Sequence, residues 1–251
     1  MFSAAVAIIG LALLVILLAR AIEGGFVSRL PFFYFYIAYI LAGTILTLGC
    51  RHFLPQHYPS VFWFYFLVSQ VTEFAVLIEV SDHIFEPYPT IRSLGRFLCG
   101  SVSSVFLVVY IFPSFLQHGQ SSNIVLGLVK RTSLTKALII LVLLAAVRSY
   151  KLVLGRSISG VLLGFSIYLG VNIANFEMAE IYGAALYAPT FRIVGPLSWT
   201  IGSLVWVIAL WRYEPGVQAS RRPLAPEQGI TVPLHTQLDR FNDTLFRLLQ
   251  K

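Results

Sequence analysis

Residues 60–85 read SVFWFYFLVSQVTEFAVLIEVSDHIF, an apolar run bounded by Pro55 and Pro59 on one side and by Pro87 and Pro89 on the other. At 1.5 Å per residue this makes a helix of about 39 Å, enough to cross a hydrocarbon core roughly 30 Å thick. The same run holds Gln70, Glu73, Glu79, Asp82 and His83, groups that a span facing only lipid does not need. A membrane helix carrying polar groups for its neighbours or for a ligand is the reading from which the rest of the chain follows.

The 251 residues are 57% hydrophobic and 12% charged, with a mean hydropathy of +0.80. Soluble domains are about 45–50% apolar and about 25% charged, so a soluble fold is excluded. Outward from 60–85, further apolar runs lie at 2–19, 30–49, 97–116, 124–147, 157–176 and 191–211. The expected architecture is all-α: a polytopic, seven-helix transmembrane bundle over 1–213, a Pro/Arg/Gly-rich linker over 214–233, and a short amphipathic helix over 234–251. The first run lacks the basic start of a secretory signal, although Ala19-Arg20-Ala21 faintly resembles a cleavage site, and it is read as a retained helix. Pro31 opens the second run at a position where a missing N–H costs little. The rings that follow, Phe32, Phe33, Tyr34, Phe35, Tyr36 and Tyr39, suit an interfacial belt leading into a packed interior. Pro113 predicts a kink late in the fourth span. In the fifth, Lys136 precedes the uniformly apolar stretch 137–147 and is expected to snorkel to the interface.

The net charge is +7, of which +6 belongs to residues 1–213. No basic run exceeds two residues, so nucleic acid is not an expected partner; the lipid bilayer is. Loops after the odd-numbered spans, with the start of the tail, carry Arg20, Arg29, Arg92, Arg96, Arg148, Lys151, Arg156, Arg212, Arg221 and Arg222, whereas the other face carries Arg51, Lys130, Arg131, Lys136 and Arg192. That bias predicts a bacterial inner-membrane protein with its N-terminus outside and its C-terminus in the cytoplasm. Cys50 and Cys99 then fall on opposite faces, so no disulfide is expected between them.

A carboxylate at the middle of a span costs about 2.5–3.5 kcal/mol on insertion scales and marks a candidate site. Glu73 lies near mid-span with Gln70 three residues earlier on nearly the same face, and Asn172 with Asn175 repeats the spacing on the sixth span. These four form the candidate ligand or proton site, with interhelical hydrogen bonding as the structural alternative. His52 and His57, with Glu177, Glu180 and Arg192, are candidates for an outer vestibule or for ordinary loop solvation. Glu79, Asp82 and His83 read as solvated helix-end residues without a metal-binding spacing. The run Gly100-Ser101-Val102-Ser103-Ser104 suits close helix packing. HExxH, GxSxG, Walker and GxGxxG patterns are missing, so no catalytic residue, metal or cofactor is assigned. The last span has no lysine for a retinal Schiff base.

In the tail, Thr236-Gln237-Leu238-Asp239 has capping-box spacing, and Leu238, Phe241, Leu245 and Leu248 share one helical face. That face suits docking on the chain's own loops, on the membrane surface, or on a cytoplasmic protein partner.

Three segments together carry a resemblance: Ser28-Arg29-Leu30-Pro31-Phe32-Phe33; Phe85-Glu86-Pro87-Tyr88-Pro89 with Arg92-Ser93-Leu94-Gly95-Arg96; and Gln237-Leu238-Asp239-Arg240-Phe241-Asn242 with Leu248-Leu249-Gln250. They resemble a family of seven-helix integral membrane proteins common in acidobacteria. The resemblance implies fold and membrane location and brings no residue-level activity. The expected function is a sensory or ligand-binding module that signals to a separate cytoplasmic partner, because a tail this short holds no kinase or cyclase. The alternatives are a transporter subunit using Glu73, a lipid-acting enzyme using Glu79, Asp82 and His83, and a structural membrane subunit.

Overall fold

The computed structural model describes residues 2–86, 88–106, 108, 122–149 and 152–212. Among these the chain forms helices and no strands: α1 (Phe2–Glu23), α2 (Pro31–Phe53), α3 (Tyr58–Ile84), α4 (Pro89–Phe106), α5 (Ser122–Ser149), α6 (Arg156–Tyr182) and α7 (Ala184–Leu210), with a 3-10 turn at Phe26–Ser28. Six of them, α1, α2, α3, α5, α6 and α7, are long and apolar enough to cross a membrane, the architecture of a multi-pass membrane protein. The expected fourth span, 97–116, is described only through Phe106 and at Val108, and its remainder lies outside the described residues. So do Pro113, the linker, and the amphipathic helix with Leu238, Phe241, Leu245 and Leu248. Helix α4 starts earlier than expected, at Pro89, so Arg92 and Arg96 lie within it and both pair with Asp82 of α3.

The six long helices close a ring in the order α1, α2, α3, α5, α6, α7, with α4 packed on α3. Apolar side chains gain little by leaving lipid for one another, so close backbone approach and dispersion hold such a ring. The sequence supplies that approach on α6, where Gly160 and Gly164 form a GxxxG step. A Cβ on Gly160 would collide with Ala209 of α7, and one on Gly164 with the Trp206 indole. Trp206 is fully buried, and its Nε1 donates to the Val161 carbonyl at 3.2 Å. Phe33 meets it edge-on at 5.4 Å and Phe165 at 5.0 Å. At Gly100 of α4 a Cβ would meet nothing within 4 Å among the described residues, and Ser103 turns back onto the Cys99 carbonyl of its own helix.

The ends of the ring differ. Arg20, Arg29, Arg92, Arg96, Arg148, Arg156 and Arg212 gather where α1, α3, α5 and α7 end and where α2, α4 and α6 begin. Arg20 donates to the Trp211 carbonyl and Arg156 to that of Ile208, tying this arginine-rich end together. The opposite end carries Lys130, which bridges Glu177 at 2.9 Å and Glu180 at 2.8 Å. The buried apolar cluster is lopsided. Leu14, Leu17, Phe33, Ile37, Leu77, Val80, Ile84, Leu143, Val161, Phe165 and Leu210 all lie from the helix midpoints toward the arginine-rich end. One half of the bundle is solid.

Because α6 and α7 touch through glycine, Gly164→Val should overpack that seam and lower stability by about 1–3 kcal/mol. Gly170→Val, where a Cβ meets nothing within 4 Å, should leave the thermal unfolding midpoint in detergent near that of the parent. Equal losses in the two variants would show that the seam is not what holds the ring.

Candidate functional site

The half of the ring toward the Lys130 end encloses a cavity of about 290 Å³. Five helices line it: Tyr36, Ile40 and Thr44 of α2; Tyr65, Phe66, Ser69, Gln70 and Glu73 of α3; Val129, Ser133 and Lys136 of α5; Tyr168 of α6; and Trp199 of α7. Along α3 the lining runs from Tyr65 to Glu73, a depth of about 12 Å by the helix rise. Its floor is the level of Tyr36, Glu73 and Lys136, where the apolar core begins.

That floor is a polar network at the middle of the helices. The Lys136 ammonium donates to the Glu73 carboxylate and, at 2.9 Å, to Gln70 Oε1. Tyr36 Oη donates to the other Glu73 oxygen at 3.0 Å. Gln70 Nε2 donates to Ser69 Oγ at 3.4 Å, and Ser69 in turn donates to the Phe66 carbonyl at 2.6 Å. The Lys136 and Glu73 side chains are only 3% and 4% exposed. The Phe74 ring lies 5.9 Å from the ammonium and covers it from the solid side.

Lys136 therefore does not snorkel. Helix α5 begins at Ser122, which sets Lys136 at the midpoint of Ser122–Ser149, too deep for its stem to reach either end cheaply. A carboxylate at the same depth on α3 removes the need. Each charge alone would cost about 2.5–3.5 kcal/mol at a span centre, and paired, with Gln70 and Tyr36 filling further bonding positions, the desolvation is offset. The sequence signal was present as one lysine and one glutamate, each near the centre of an apolar run and of opposite sign. Removing Lys136 from the loop count also leaves the Lys130 end with fewer basic residues than the sequence alone suggested.

Of the four residues expected to cluster, the structure joins Gln70 and Glu73 and leaves Asn172 and Asn175 apart from them. Asn172 Nδ2 donates to the Tyr168 carbonyl of its own helix at 2.9 Å. Asn175 is buried, with neither amide atom bonded among the described residues. Lys136 and Tyr36 take the places expected for the two asparagines, and Tyr36, with Phe33 and Tyr34, is buried rather than part of an interfacial belt. Phe32 and Phe35 alone of that group's first residues face outward.

Glu79 is likewise not a solvated end residue. It is buried, and its carboxylate oxygens accept from Phe32 N at 3.1 Å and Phe33 N at 2.9 Å. Leu30 offers α2 no side-chain cap, so the exposed amides and positive dipole end of α2 are satisfied by a carboxylate from α3. The vestibule candidates are not brought together. Glu177 and Glu180 are held by Lys130, Arg192, His52 and His57 are exposed, and His52 packs on Phe53 at 4.7 Å. No group of three His, Cys, Asp or Glu suited to a metal ion occurs among the described residues.

Comparison of the chain with protein-family models, curated proteins and solved structures returned no match.

Lys136→Met alone strands a buried carboxylate and should cost about 3–5 kcal/mol, whereas Lys136→Met with Glu73→Gln should recover most of that loss. A double-mutant cycle on unfolding in detergent measures it. Additive losses would show that the two side chains are not coupled.

Proposed function

We propose that this chain is a seven-helix bacterial inner-membrane protein that binds a small ligand in its one-ended cavity and passes the binding event to a separate cytoplasmic partner. The supporting observation is the lopsided interior. The cavity holds Glu73 and Lys136 in the half of the ring toward Lys130, and among the described residues the other half is filled by Phe33, Ile37, Leu77, Val80, Phe165 and Trp206. A transporter subunit needs a path that can be opened from both ends, and a purely structural subunit needs no polar cavity, so a polar cavity backed by a filled apolar half favours binding without passage.

In this reading the arginine-rich end faces the cytoplasm, as the excess of basic residues there favours, and the cavity opens to the outside. The count of seven rests on the span expected at 97–116 from the sequence and on the resemblance to the acidobacterial seven-helix family. Rigid-body adjustment of the solid half carries the signal, since packed interiors shift between discrete arrangements rather than deform smoothly. The partner docks on the arginine-rich loops and on the tail helix bearing Leu238, Phe241, Leu245 and Leu248.

Ser133→Cys, in a background with Cys50 and Cys99 replaced by alanine, should react with a membrane-impermeant thiol reagent applied from outside and not from the cytoplasmic side, as read by mass spectrometry on oriented vesicles. Labelling from both sides would favour transport, and labelling from the cytoplasmic side alone would reverse the orientation. Deleting residues 234–251 should abolish co-purification of the cytoplasmic partner while leaving membrane insertion intact. Unchanged pull-downs would remove the tail helix from the proposal.

A further inference from the structure

The charge arrangement at the cavity floor narrows the class of ligand, and this inference rests on the binding role proposed above. Among the described lining residues Glu73 and Lys136 are the only ones with formal charge, and they are paired, so the described lining is neutral. A ligand that is itself a cation or an anion would leave an uncompensated charge between apolar helices, the arrangement that costs most in a buried setting. A ligand with no net charge avoids that cost.

Both members of the pair keep bonding capacity. An ammonium has three donors, and Lys136 uses two, on Glu73 and Gln70. A carboxylate has about four lone-pair positions, and Glu73 accepts from Tyr36 and Lys136. The neutral pair therefore keeps a donor of positive sign and acceptors of negative sign, on two residues that both line the cavity. A neutral amide or alcohol could use one of these. A molecule carrying both charges uses both, and each bond is charge-assisted, roughly twice the strength of a neutral one.

The walls agree with this. Tyr65, Tyr168 and Trp199 line the same cavity, and an aromatic ring is a good receiver of an ammonium group. At roughly 30 Å³ per water, 290 Å³ holds about ten water volumes, which sets an amino-acid-like size. We propose that the cavity takes a small zwitterion, its ammonium set against Glu73 and the aromatic walls and its carboxylate against Lys136, with the Glu73–Lys136 pair left intact.

The test uses the full chain in lipid nanodiscs and four matched probes of similar size: β-alanine as the zwitterion, propylamine as the cation, propionate as the anion and propionamide as the neutral molecule. Calorimetric titration should show β-alanine binding at least about tenfold more tightly than any of the other three. The doubly neutral variant Glu73→Gln with Lys136→Met, which strands no charge, should stay folded and lose that tenfold preference. If propylamine, propionate or propionamide binds as well as β-alanine, the zwitterion assignment is overturned while the binding role of the cavity stands. If β-alanine is preferred but the double variant keeps the preference, the pair is not the recognition element and the assignment likewise fails. If none of the four binds, the zwitterion assignment and the binding role fall together.

Discussion

The pairing of Lys136 with Glu73 is the constraint around which the rest of the bundle is arranged. Two opposite charges on different helices, both at helix midpoints and both removed from water, tolerate few relative positions of those helices. A slide of α5 along α3 by one turn, about 5.4 Å, would separate them and leave each unpaired. The pair therefore sets the register of α3 against α5, and the Tyr36 hydroxyl brings α2 to the same level. Van der Waals packing among apolar helices has no comparable preference for one register, since neighbouring turns offer similar surfaces.

The remaining helices answer a different requirement. Helices α6 and α7 have no buried ion pair between them among the described residues and rely on glycine at 160 and 164 to bring backbones close, with Trp206 seated on the bare face of Gly164. Helix α1 joins the same wall, where Thr200 of α7 donates to the Val6 carbonyl at 3.0 Å. The Glu79 carboxylate fastens the start of α2 to the end of α3 at the arginine-rich end. The ring is thus tied tightly at one end by capping, arginine-to-carbonyl bonds and aromatic packing. At its middle it is tied by the Glu73–Lys136 network, and the cavity lies on the Lys130 side of it. Among the described residues the packed apolar cluster lies toward the arginine-rich end and the polar cavity toward the Lys130 end.

Much of this was legible along the chain. The six long helices fall where the apolar runs fall, because a helix must satisfy its own backbone wherever water is scarce. Glu73 stood out for the same reason, being a costly group in a costly place, and Gln70 followed from helical spacing. The residues misread were those whose reading depended on another helix. Lys136 looked like an interfacial lysine when α5 was considered alone, and Glu79 looked like a solvated end residue until the uncapped start of α2 was set beside it. Asn172 and Asn175 have the spacing of a pair, yet Asn172 bonds back to its own helix, an option that periodicity cannot distinguish from an interhelical bond.

The sequence by itself determined that the chain is helical, that its helices are of membrane-spanning length, and that a carboxylate sits near the centre of one of them, because hydropathy and helical rise act locally and are read residue by residue. Only the tertiary structure decided which charge meets that carboxylate, which aromatic rings turn inward, and that the apolar cluster and the polar cavity occupy different halves of the ring. Those are properties of the space between helices, and they depend on the order in which six helices close a ring, which no single helix encodes.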